Sequence, residues 1–276
     1  MKILTLAVFT IRELIARITL IILAAISTLI LLGVLLSVSA DRTADGAALT
    51  IFGNPVTPVV AQEQLAELVA QMQAGLAGGL FAGIVLFGVL ATASAIPDML
   101  ERGVADVYLS KPLPRWQLLF ARCLGAVGAI LLNAVYFIGG LWLILGVKAG
   151  IWNGLFLVSI LSMALLFACL YSLVAFFAVW SRNAVVAIIA AFLYLIIIGS
   201  VLYHRQQGLY MISENQVFRT TIDMVYYVLP QLSALQDSIA KQIMGREFDW
   251  LPYLQSTLSA GAIYSGAAAI LHKRDF

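Results

Sequence analysis

The chain has 276 residues, of which 62% are hydrophobic and 11% charged, with a formal net charge of +2 and a mean hydropathy of +1.00. Soluble domains lie nearer ~45–50% apolar and ~25% charged, so the composition excludes an ordinary soluble protein and defines an integral membrane protein. The apolar runs reach ~20 residues, the length of a membrane-crossing helix, where a barrel strand needs only ~10 alternating residues. The balance of charge, with no basic block, gives no sign of nucleic acid as a partner.

Residues 1–17 are amphipathic: Lys2, Arg12, Glu13 and Arg17 interrupt a run of Ile, Leu, Val and Phe. Such a helix can lie flat in the headgroup layer before the chain turns into the bilayer. Ile18–Ser39 is a first span free of charge, too long for a signal-peptide core, and reads as an uncleaved anchor although Val38-Ser39-Ala40 resembles a cleavage site. Asp41–Gln73 is a polar loop, with Pro55 and Pro58 marking a turn and a helical pattern over its second half. The second span, Ala74–Ile96, carries Gly75, Gly79 and Gly83 at four-residue spacing, a pattern that lets membrane helices approach closely, here or in a second copy of the chain.

Ile96–Arg122 is the densely charged stretch between two long apolar runs. It contains Asp98, Glu101, Arg102, Asp106, Lys111, Arg115 and Arg122, with Pro97, Pro112 and Pro114 breaking it. Leu118–Val147, Gly154–Trp180 and Ala184–Tyr203 are spans three to five, joined by tight turns at Lys148–Asn153 and Ser181–Asn183. A second long polar loop, His204–Leu251, holds amphipathic segments too short and charged to span; they rest on the surface or dip in. Pro252–Leu271 is the sixth span, and HKRDF is a basic tail. The reading is a single all-α, polytopic domain over 1–276 with six transmembrane helices. With both termini inside, ten of the 16 Lys and Arg residues fall on the cytoplasmic side, and the positive-inside bias places Ile96–Arg122 there and residues 204–251 outside.

The chain has no Gly-x-x-x-x-Gly-Lys-Ser/Thr loop for ATP phosphates and no His-Glu-x-x-His metal motif. Cys123 and Cys169 sit inside apolar runs with no metal or disulfide spacing and read as small packing residues. No acidic or basic residue falls in the middle of a span, where ion-driven transporters carry theirs. Asn133 is the deepest polar side chain and is expected to hydrogen-bond across helices. If the chain transports anything, the energy enters from outside the membrane. The central stretch suits a docking surface: charges at its rim, and Met99, Leu100, Val107, Tyr108 and Leu109 as apolar anchors.

Within that stretch, ERGVADVYLSKPLPRWQLLFAR resembles the cytoplasmic segment of permease subunits of the type-2 ABC transporter family. Glu101, Gly103, Lys111, Pro112 and Arg115 match the family pattern, Val104 stands where Thr is usual, Pro114 takes a Ser place, and Arg122 takes a Lys place at the start of the helix. The terminal His272-Lys273-Arg274-Asp275-Phe276 resembles the family's basic ending. The resemblance implies a prokaryotic inner- or plasma-membrane permease subunit, paired with a second copy or a related permease. The pair would dock on two ABC ATP-binding subunits through a coupling segment at 97–117. Motor contact would then fall to Glu101, Gly103, Asp106, Tyr108, Lys111, Pro112 and Arg115. ATP would be bound by the partner subunit, with no cofactor, no catalytic residue and no metal in this chain; the direction is usually export. The 204–251 loop would leave room for an extracytoplasmic accessory protein. Two other classes stay open: a membrane-embedded lipid-modifying enzyme using His204, Glu214 and Asp223, and a non-catalytic scaffold subunit of a membrane complex. The cargo is not legible in the sequence.

Overall fold

Turn chemistry sets the helix ends in the computed structural model, which describes residues 2–43, 46–55, 62–100 and 114–273. Helix α1 (Lys2–Ile15) and α2 (Ile18–Ser37) are separated by a break at which Arg17 is extended (φ −77°, ψ 137°). α3 spans Gln62–Thr92. α4 (Arg115–Ala149) starts at an extended Pro114, whose missing N–H costs nothing there, and stops at Gly150 (φ 70°), the left-handed conformation glycine tolerates. α5 (Gly154–Ser181) begins where the Asn153 side chain accepts from the Leu155 N–H at 3.1 Å. α6 covers Ala184–Tyr203 and is capped by Asn183 on the Val185 N–H at 2.8 Å; a wider turn over Leu193–Ile198 interrupts it. Asn at both caps satisfies an otherwise orphaned donor. α7 (Gln216–Val228), α8 (Leu232–Ile243) and α9 (Leu251–His272) complete the helices.

The chain is mostly helical, and among the described residues four helices are long and apolar enough to cross a membrane: α2, α4, α5 and α6. The predominantly helical fold agrees with the all-α expectation and carries one small addition. After α2 the chain forms a small antiparallel sheet, β1 (Val38–Thr43), β2 (Gly46–Ile51) and β3 (Asn54–Pro55), in the order β1-β2-β3, with Val38 opposite Ile51 and Thr43 opposite Gly46. β-branched Val38 at the exit of α2 and Thr50–Ile51 opposite it favour extended backbone, and the first span ends at Ser37 instead of Ser39. Lys148, at the end of α4, donates to the carbonyls of Leu35 and Val38 where α2 ends, a cation placed at the negative end of a helix.

α5 is the most deeply buried of the four apolar helices. Phe156, Phe167 and Tyr171 are fully enclosed on it, with Phe167 and Tyr171 stacked at 5.6 Å. α1 lies along α4, burying Ala7, Thr10 and Leu14 and leaving Leu4, Val8, Phe9 and Ile15 exposed. The predicted cross-helix bond of Asn133 is present: Ser27 of α2 donates to its Oδ1 at 3.2 Å. Cys123 and Cys169 are free and buried, as packing residues are.

Close helix approach falls at different glycines from those singled out by spacing. Among the described residues, a Cβ at Gly75, Gly79 or Gly83 would meet nothing within 4 Å. A Cβ at Gly125 would lie 2.5 Å from Thr10 Cβ, and one at Gly128 would lie 2.8 Å from Ile11 Cδ1. These two glycines are what lets α1 seat against α4. Gly125→Ala should therefore cost about 1–3 kcal/mol of stability, the scale of overpacking, and open residues 1–17 to protease. Gly75→Ala should be neutral or gain up to about 1 kcal/mol from helix propensity. Thermal unfolding and limited proteolysis of the detergent-solubilised protein read both.

Candidate functional site

Of the predicted docking residues, Glu101, Gly103, Asp106, Tyr108, Lys111 and Pro112 lie outside the described residues, as do Val107 and Leu109; Arg115 opens α4 and is half-buried. What can be built from the residues upward is the frame that holds the two ends of residues 101–113.

The leading end is fixed by burial. After α3 come two short turns, Ala93–Ala95 and Asp98–Leu100. Ala93, Ala95, Ile96 and Met99 are almost wholly enclosed, and Leu100 is 8% exposed. The Tyr171 hydroxyl donates to the Thr92 carbonyl at 2.9 Å, tying this end to α5. Met99 and Leu100, expected as anchors for a partner, point into the core instead. Their sequence neighbours Ile96 and Ala95 are apolar too, and the short turns bring the whole run against α5.

Charge fixes both ends together. Arg122 lies seven residues, roughly 10 Å, into α4, and its side chain is only 4% exposed. Its Nη1 donates to Glu13 Oε2 of α1 at 2.5 Å. The other carboxylate oxygen of Glu13 accepts from Arg17 Nη2 at 2.8 Å, and the same guanidinium donates to Asp98 Oδ2 at 2.7 Å and to Ser94 Oγ. The chain Arg122–Glu13–Arg17–Asp98 thus joins α4, α1, the start of α2 and the turn before residue 101. A buried guanidinium is tolerated only with such a counter-charge. Burial alone would raise the Glu13 pKa, but the hydrogen bonds from Arg122 and Arg17 outweigh it and hold the carboxyl below its ordinary value. For Arg17, burial works against the charged form, and the bonds to Asp98 and Glu13 hold its pKa above the usual value.

The sequence pattern marks Arg122 at the entry of a span but leaves Glu13 and Arg17 on the polar face of a surface helix. One signal was available: Glu13 is the sole acid in the first forty residues and stands four before Arg17, the spacing of a helical ion pair. The residues grouped for an enzyme go to different duties. Asp223 accepts from Arg205 Nε at 2.6 Å, the His204 ring nitrogen meets the Ser200 carbonyl at 3.1 Å, and Glu214 is exposed. No cluster of His, Cys, Asp or Glu fit to hold a metal ion occurs among the described residues. Compared with models of known protein families and with curated proteins, the chain matches none.

Glu13→Gln keeps the shape and removes the charge between two arginines. It should destabilise the protein by on the order of 3 kcal/mol, whereas Glu67→Gln, at an exposed position on α3, should stay within about 0.5 kcal/mol; thermal unfolding in detergent measures both. Because the folded Glu13 pKa is depressed, its contribution is fully present above the ordinary value of 4.5 and is lost as pH falls below that through the folded value. The hydrogen-exchange protection of residues 2–15, measured against the intrinsic rate at each pH, should therefore fall on acidification below pH 4.5 in the native protein and show no such step in Glu13→Gln.

Proposed function

We propose that the chain is the membrane-spanning permease subunit of an ATP-driven ABC exporter, energised by a separate ATP-binding subunit docked on the segment between the second and third spans. In this reading α3 and α9, 31 and 22 residues long, are spans two and six beside the four apolar helices, and both termini are cytoplasmic. The Gly75, Gly79 and Gly83 face would receive a second permease.

The observation that carries the reading is the ion network that brackets residues 101–113. A segment that receives force needs stiff connections to several helices at once. Asp98 on its leading side and Arg122 on its trailing side are both bonded through Glu13 and Arg17 to α1 and α2. A displacement of the segment would then move α1, α2 and α4 together, since a fully connected polar network resists separate motion of its parts. The charge-free middles of the apolar helices fit a transporter whose energy arrives from outside the bilayer.

The test is co-purification of the tagged chain with ABC ATPase subunits from its own membranes. Wild type should carry an ATPase. The double replacement Glu101→Ala with Arg115→Ala should lose at least tenfold of the bound ATPase, a loss of about 1.4 kcal/mol or more in association, with unchanged membrane insertion. Equal recovery of the ATPase from wild type and double variant would remove the docking role.

A further inference from the structure

Of the two helices between α6 and α9, α7 has no buried residue, whereas α8 packs inward and buries Leu232, Leu235, Ile239 and Ile243. α8 runs antiparallel to the first half of α5. At its far end the Asn153 side chain, at the head of α5, donates to the Ile243 carbonyl at 3.0 Å, and Ser162 donates to Gln242 Oε1 at 3.1 Å. At its near end the Gln231 N–H donates to Ser256 Oγ at 2.9 Å, and the Ser256 carbonyl accepts from Cys169 at 3.5 Å. Cys169 lies fifteen residues into α5, roughly 22 Å along it. The tip of the α7–α8 hairpin, at Pro230, therefore sits level with the middle of the apolar helices, where Tyr194 of α6 donates to the Pro230 carbonyl at 2.5 Å.

Two cavities lie on either side of this tip. One is a polar cleft of about 260 Å³ between the hairpin, the end of α6 and the start of α9. It is lined by Tyr203, Arg205, Gln231, Asp237, Lys241 and Asp249 among others. Its charged lining carries both signs, Arg205 and Lys241 beside Asp237 and Asp249. Lys241 pairs with Asp237 at 2.8 Å, and Arg205 pairs with Asp223 while lying 3.7 Å over the Tyr226 ring. Gln231 is 6% exposed, and its side-chain Nε2 is buried without a hydrogen-bond partner. An orphaned buried amide is costly, about 1–3 kcal/mol, and is relieved by an acceptor oxygen. The other cavity is an apolar groove of about 320 Å³ lined by Phe176, Phe177, Leu193, Tyr194, Leu229 and Ile263 among others. Leu229 lines the groove and Gln231 the cleft, so only Pro230 separates the two along the chain.

We infer that this pair of cavities binds a zwitterionic phospholipid. Its headgroup lies in the cleft, with the phosphate toward the Gln231 amide and Lys241 and the ammonium toward Asp237 and Asp249, and an acyl chain lies in the groove. A lining that presents both cations and carboxylates favours a headgroup carrying both signs over one carrying a single sign or none. A polar cleft and an apolar groove on neighbouring residues of one tip follow the order in which a lipid carries head and tail. The inference goes beyond the exporter reading and does not depend on it, since binding requires neither ATP nor a motor subunit.

Native mass spectrometry of the purified full chain tests it, with phosphatidylethanolamine, phosphatidylglycerol and an alkyl maltoside offered in equal amounts. Phosphatidylethanolamine should be retained at least fivefold over either competitor. Gln231→Leu should lower its retention about fivefold, the worth of one hydrogen bond, and Lys241→Ala, at an exposed site, by about threefold. Helical dichroism and thermal unfolding confirm that each variant folds; if Gln231→Leu does not, Lys241→Ala decides alone. Equal retention of the three amphiphiles overturns the inference, as does a preference for the glycerol lipid or the maltoside. A preference for phosphatidylethanolamine that the folded variants leave unchanged also overturns it.

Discussion

The structure depends on keeping one guanidinium charged in an almost water-free place. Arg122 is enclosed on α4, and an uncompensated charge there would cost more than any neighbouring contact returns. Glu13 is the compensation, and it reaches Arg122 only because α1 comes within touching distance of α4. That approach in turn needs glycine at positions 125 and 128, where Thr10 and Ile11 fill the space a side chain would take. The same carboxylate binds Arg17, and Arg17 binds Asp98 and Ser94. A single electrostatic requirement thereby fixes the N-terminal helix, the turn into α2 and both ends of the central polar segment.

The other end of the molecule follows the same logic with neutral groups. α8 brings polar groups down beside α5, where Gln242 accepts from Ser162 and the Ile243 carbonyl accepts from Asn153. At the tip, the Pro230 carbonyl takes the Tyr194 hydroxyl and the Gln231 N–H takes Ser256. Non-helical backbone at the depth of the apolar helices is tolerated only where protein supplies such partners. The wide turn at Leu193–Ile198 and Pro230 thus belong to one joint. Among the described residues, the Gln231 side-chain Nε2 and the Tyr253 hydroxyl are buried without a hydrogen-bond partner.

Much of the architecture was legible because membrane helices write themselves in long apolar runs with clear stops. Asn153 and Asn183 as caps and Gly150 as a terminator mark helix ends in the sequence and in the structure. Asn133 had to find a cross-helix partner and does so in Ser27. The small sheet after α2 was not legible, because its strands are short and follow directly on an apolar helix that hides where extended backbone begins. The glycine stripe at 75, 79 and 83 was visible, yet spacing alone does not say which glycine face meets a neighbour; the partners of Gly125 and Gly128 come from a helix more than a hundred residues earlier. Distance in sequence also hid the charge network. Arg122 and Glu13 are 109 residues apart, and only their burial reveals that neither is a surface charge. Met99 and Leu100 show the converse error, since apolar residues beside a polar run read equally well as docking anchors and as the last turn of the core.

The central claim is that the segment framed by this network meets an ATP-binding subunit at the membrane surface. A photo-crosslinking amino acid placed at Val107 and activated in intact membranes asks this directly. The account predicts a single dominant adduct with a soluble ABC ATPase subunit, made from the cytoplasmic side. Adducts confined to lipid, to a second copy of the chain or to extracytoplasmic proteins would contradict it.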